Sequence, residues 1–174
     1  LPFFVMPALV GGVGNGYALF YRILMLLFDI GCLLLISSTG KRLFPGQNRK
    51  VLFAAISYLA LTAISFQVLY DRFDIAAAFF IMLAIHLALR GRWPWAYLVI
   101  WLGAFIKVFP AILFPIFIMI QASSEKRISS VVRDFGMALT GGIIMLIGSI
   151  SIFGDWWGYM LEYHGRRGIQ IESV

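Results

Sequence analysis

Long apolar runs separated by short polar stretches fill the chain, and several runs are long enough to cross a bilayer. Residues 17–37 form the first, close to the roughly 20 residues that a hydrocarbon core of about 30 Å requires. Residues 51–69 cross back, Tyr70, Asp71, Arg72, Phe73 and Asp74 make a tight turn, and residues 75–89 return. Residues 95–121 carry Lys107, Pro110 and Pro115, and prolines in such a run force a kink or a break. This segment reads either as one kinked span or as a hairpin of two short helices meeting near Lys107. Residues 135–153 form the last span, in which Gly141 and Gly142 permit close helix packing. The predicted fold is all-α: a polytopic transmembrane helical bundle of about six membrane helices, including a short Pro-broken hairpin.

Basic residues set the expected orientation. Lys41, Arg42, Arg49 and Lys50 flank Pro45 and Gly46, and Arg90 and Arg92 close the next returning run, so both loops belong in the cytoplasm by the positive-inside rule. With the hairpin, nine Lys and Arg lie inside and four outside; with a single span the count is eight and five. The charge count barely separates the two. The hairpin is favoured because broken backbone at membrane depth is tolerated where it lines a polar cavity. It puts Lys107 near the external side and delivers residues 154–174 there, with Asp155, Trp156, Trp157 and Tyr159 as an interfacial anchor.

Composition agrees with this reading. Of 174 residues, 61% are hydrophobic and 13% charged, about half the charged content of a soluble domain. The net charge of +6 falls in short loop clusters and excludes a nucleic-acid role rather than suggesting one. Cys32 is alone, so no disulfide forms within the chain. The Pro- and Gly-rich residues 1–16 match no phosphate-binding loop. The chain reads as part of a single transmembrane domain over residues 1–174, truncated at both ends.

Candidate chemistry gathers on one membrane face: Asp71, Arg72, Asp74, Lys107, His164, Arg166, Arg167, Gln170 and Glu172. A cluster of Lys, His and Arg suits a lipid phosphate, because such donors neutralise a diester and stabilise the charge that grows as it leaves. Contact of Arg166 and Arg167 with anionic headgroups is the plainer alternative. Asp74 is well placed to cap the helix that follows it, leaving Asp71 freer to meet a sugar hydroxyl or a cation. Asp29, inside the first span, costs about 2.5–3.5 kcal/mol unless paired or protonated, and reads as a partner to another helix. His86 reads as a buried structural histidine. Two histidines and one cysteine, far apart in sequence, give no transition-metal signature, and no hydrolase motif occurs.

Two segments resemble a known family. The run from Gly103 through Lys107, Phe109 and Pro110 to Pro115 resembles a signature of multi-spanning glycosyltransferases that use polyprenyl-phosphate sugars. The tail with Tyr163, His164, Arg166, Arg167, Gly168, Gln170, Glu172 and Ser173 resembles a segment of their bacterial branch, the polyprenol-phosphate-mannose-dependent alpha-mannosyltransferases.

The resemblance implies a C-type glycosyltransferase fold in the bacterial plasma membrane. It implies transfer of a hexose, with mannose the first choice, from a polyprenyl-phosphate donor to a glycan or glycolipid acceptor on the extracytoplasmic side. By match to the family's motif positions, Lys107, His164 and Arg166 hold the donor phosphate. Asp71, Arg167, Gln170 and Glu172 shape the sugar or acceptor pocket. The family's acidic base falls upstream of Leu1, so no catalytic base is assigned within the chain. No cofactor is expected, with a divalent cation left open. A transporter or lipid flippase would also bury Asp29 and Lys107 and break a helix at Pro110, and a non-catalytic membrane subunit is the third class.

Overall fold

A computed structural model describes residues 15–65, 74–125 and 128–167. Its described residues form six α-helices and one 3-10 turn. In chain order the helices are α1 (Asn15–Leu43), α2 (Asn48–Ile64), α3 (Asp74–Leu89), α4 (Trp93–Ile106), α5 (Leu113–Glu125) and α6 (Ile128–Arg167), with the 3-10 turn (Phe109–Ile112) between α4 and α5.

Helices α1 and α6 are long and apolar enough to cross a membrane. Many of their exposed side chains are apolar, Leu19, Leu27 and Leu34 on α1 and Ile144 and Ile152 on α6 among them, as a lipid-facing surface requires. At 14 and 13 residues, α4 and α5 are shorter, about 20 Å each at the helical rise, and so fall short of a full hydrocarbon core. They form the hairpin that the sequence favours. Trp101 meets Phe114, Tyr97 meets Phe117, and Tyr97 bonds to Gln121, so positions rise along one leg as they fall along the other.

The other helices are ordered by the same logic. Near one end of the bundle, Thr39 Oγ1 lies 2.9 Å from His86 Nδ1 and Arg42 Nε donates to the Leu89 carbonyl at 3.0 Å. Farther along, Phe28 meets Phe79 and Phe80, and Met25 packs with Ile75 and Ala76. Helices α1 and α3 therefore run parallel. Helix α6 runs parallel to α4: Phe135 packs on Tyr97, while Gly142 sits beneath the Trp101 ring. The main core surrounds α4, with Ala96, Tyr97 and Ile100 fully buried among Phe80 and Ala84 of α3, Phe117 of α5 and Ala138 of α6.

The boundaries of the two long helices move. Helix α1 continues past Ser37 to Leu43, taking Lys41 and Arg42 into its last turn, where the negative end of the helix dipole favours cations. Helix α6 begins before Phe135 and continues past Phe153 through Arg167 as one helix. The stretch expected to leave the membrane as an anchor remains helical because no proline interrupts it and each of its glycines costs only about 1 kcal/mol.

Candidate functional site

One end of the bundle collects the basic turns that hold Lys41, Arg42, Arg49, Lys50, Arg90 and Arg92. At the opposite end, the start of α3 meets the break after α4, and these elements bring two charged side chains together.

The break follows from the prolines. Pro110 has no N–H to donate, and the residue before a proline is biased away from helix, so α4 cannot continue. It stops at Ile106; Lys107 takes extended backbone angles, φ −143° and ψ 144°, while its N–H still reaches the Gly103 carbonyl at 3.0 Å. The chain turns through the 3-10 segment, with Pro110 buried, and Pro115 falls in the first turn of α5, where a missing N–H costs nothing. Gly103 makes the turn possible: a Cβ there would stand 3.1 Å from Phe80 Cβ and 3.3 Å from Pro110 Cβ.

At this break the Lys107 ammonium pairs with the Asp74 carboxylate. Asp74 opens α3, as a helix-start residue should, yet its carboxylate goes to Lys107. The two helix ends suit their charges. The positive end of the α3 dipole favours Asp74, and the negative end of α4 favours Lys107. The pair is partly open, with side-chain exposures of 38% for Lys107 and 33% for Asp74. Below it, Met25, Ile75 and Ala76 form a small buried cluster, packed on its edge by Tyr21, Leu24 and Ile106.

The remaining candidate positions divide into two groups. Asp71, Gln170 and Glu172 lie outside the described residues. His164, Arg166 and Arg167 belong to the last turns of α6, where the backbone is described and the side chains are not. Helical rise fixes their separation along α6: His164 lies about 33 Å past Gly142, whereas Lys107 lies only about 9 Å past Trp101, the neighbour of Gly142. A straight α6 thus carries His164 well beyond Lys107. A phosphate shared by the two requires α6 to bend or unwind, and Gly154 and Gly158, with open space where a Cβ would stand, are its weakest helical positions there.

Two further sets of polar contacts went unread in the sequence. Tyr58 of α2 donates to Asp29 Oδ1 at 2.5 Å, which supplies the interhelical partner that Asp29 requires. Near the basic end, Tyr97 Oη donates to Gln121 Oε1 at 2.9 Å, Gln121 Nε2 donates to Asp134 Oδ2 at 2.8 Å, and Arg133 Nε donates to Asp134 Oδ1 at 2.9 Å. This chain ties α4, α5 and α6 together. A glutamine closing one apolar run and an aspartate beside Arg133 at the head of the next were the signal that could have marked it. His86 is buried against Thr39, the structural role expected of it. Among the described residues, no group of three or more His, Cys, Asp or Glu could hold a metal ion.

Fold and site together define a helical membrane protein with a broken hairpin that presents a lysine at its tip. The chain belongs to glycosyltransferase family 87, whose sequence profile matches residues 1–173. No curated protein and no solved structure matches it significantly. It is therefore a membrane glycosyltransferase, with a sugar donor and an acceptor as its partners.

Proposed function

We propose that the protein transfers a hexose, mannose first among the candidates, from a polyprenyl-phosphate donor to a glycan or glycolipid acceptor on the extracytoplasmic face. The observation that carries this reading is the placement of Lys107. It sits at a partly open break in the membrane backbone, at the end of the bundle opposite the basic turns. By the positive-inside rule the basic turns face the cytoplasm, which puts the lysine outside. A cation at that depth meets the phosphate of a lipid whose chain lies in the bilayer.

In the reaction the acceptor hydroxyl attacks the anomeric carbon and gives up its proton to a general base, while the bond from that carbon to the phosphate oxygen breaks. Negative charge grows on the departing polyprenyl phosphate, and a fixed ammonium beside it lowers the barrier. Lys107 takes that role, joined by His164 and Arg166 when α6 folds toward the hairpin tip. Arg167, Gln170, Glu172 and Asp71 line the sugar or acceptor pocket.

Membranes holding the full-length protein, given labelled polyprenyl-phosphate mannose and a glycolipid acceptor, should form labelled product. Lys107→Gln should cut turnover at least tenfold with insertion unchanged, and His164→Ala should do the same. Activity with a different polyprenyl-phosphate sugar would change the sugar and keep the donor class. Full activity of both variants would remove the phosphate site from these residues.

A further inference from the structure

The Lys107 ammonium, assigned above to the donor phosphate, already has an anion beside it. We propose that Asp74 is the resting counter-ion of Lys107 and that the donor phosphate displaces it, making Asp74 a positioning residue that sets how tightly the donor is held. This inference rests on the reading of Lys107 as a phosphate ligand.

Three features of the pair support an exchange over a permanent tie. First, both side chains are about one-third open, so a ligand can approach either without unfolding a helix. Second, Asp74 is the first residue of α3, where the helix dipole and the unpaired N–H groups of the first turn stabilise a carboxylate whether or not Lys107 is present. Its release therefore strands no buried charge. Third, Lys107 stands on a backbone already out of the helix, so its side chain can swing while α4, anchored by the fully buried Tyr97 and Ile100, stays in place.

The consequence is a competition. A neutral pair attracts an incoming phosphate less than a free ammonium does, and the carboxylate left behind repels the new anion. Asp74 thus lowers donor affinity, and in return holds Lys107 oriented between turnovers and turns away weakly bound anions. Removing its charge should tighten binding, the opposite of what a structural tie predicts.

The test uses the full-length protein in detergent and farnesyl phosphate as the probe, with binding followed by tryptophan fluorescence and donor KM and kcat measured separately. Asp74→Asn keeps the shape and the capping ability of the residue; Asp74→Ser, also a good cap, is the second variant should the first insert poorly. Either should bind farnesyl phosphate three- to tenfold more tightly and lower the donor KM by a similar factor, with kcat unchanged or reduced. In a Lys107→Gln background, itself at least tenfold weaker, the same substitutions should gain clearly less, since only the relief of repulsion remains. Weaker binding in both Asp74 variants, or a gain as large without Lys107 as with it, overturns the exchange while leaving Lys107 as the phosphate ligand. Unchanged binding in Lys107→Gln alone overturns both readings.

Discussion

Gln121 is the sharpest point at which to test how the hairpin is held. It is fully buried between Tyr97 and Asp134, and Gln121→Leu removes both the 2.9 Å bond from Tyr97 and the 2.8 Å bond to Asp134. Hydrogen bonds between membrane helices average about 0.6 kcal/mol and reach about 1.7 kcal/mol, so the bonds alone give about 1–3 kcal/mol. Losing a donor to a buried carboxylate adds about 1–3 kcal/mol, because the charge stays out of water. Arg133 still serves the other oxygen of Asp134 and holds the sum toward its lower half, and leucine returns some apolar contact. A net loss of about 3 kcal/mol follows, about a hundredfold in the unfolding equilibrium. Tyr97→Phe, which removes the first bond and leaves the one to Asp134, should cost about 1 kcal/mol. Unfolding of the detergent-solubilised full-length protein, followed by tryptophan fluorescence, compares the variants. If Gln121→Leu costs no more than Tyr97→Phe, the Asp134 bond contributes nothing and the three helices are held by packing alone.

Three other substitutions probe the contacts between helices. At Gly142 an added Cβ would stand 2.8 Å from Trp101 Cδ2, a rigid ring, whereas at Gly141 it would stand 2.9 Å from Leu98 Cδ1, the free end of a flexible chain. Gly142→Ala should therefore destabilise by about 1–3 kcal/mol and Gly141→Ala by much less, measured in the same unfolding assay, and equal losses would refute this account of the α4 and α6 contact. Tyr58→Phe takes the hydroxyl from Asp29 at mid-helix and should loosen α2 from α1, seen as faster hydrogen exchange over residues 48–64; unchanged exchange would mean that α2 is held by its apolar face.

Much of the architecture was legible because a membrane leaves few choices. Apolar runs near the bilayer length, bounded by Lys and Arg, give the helices, and Pro110 with Pro115 marks a break that a hairpin can use. The ends of the elements were harder. Helix α6 runs on to Arg167 because hydropathy stops at Phe153 while helix propensity does not. Side-chain partners were legible only as needs. Asp29 required something polar, but nothing in one sequence says that it is Tyr58, since α1 and α2 fix that meeting through their packing. Asp74 was read by its local role as a cap. Its bond to Lys107 spans elements that meet only when the hairpin folds against α3, and no spacing in the chain encodes that distance.

Asp29, Lys107 and Asp134 are three charged residues carried by the apolar segments, and each meets a polar group from another helix: Tyr58, Asp74 and Gln121. The partners differ in a way that separates architecture from function. Asp29 takes a hydrogen bond from a neutral hydroxyl between α1 and α2, and Asp134 is buried, with its charge answered by the adjacent Arg133. A ligand could reach Asp134 only by parting the helices that it joins. Lys107 differs on each count: its partner on α3 is an opposite charge, the pair is partly open, and its backbone is already released from the helix by the prolines that follow. An ion pair with that exposure adds little to stability, about 0–1 kcal/mol, so holding the fold together is a poor reason to place a lysine there. An anion that arrives from outside and takes the lysine over is a better one.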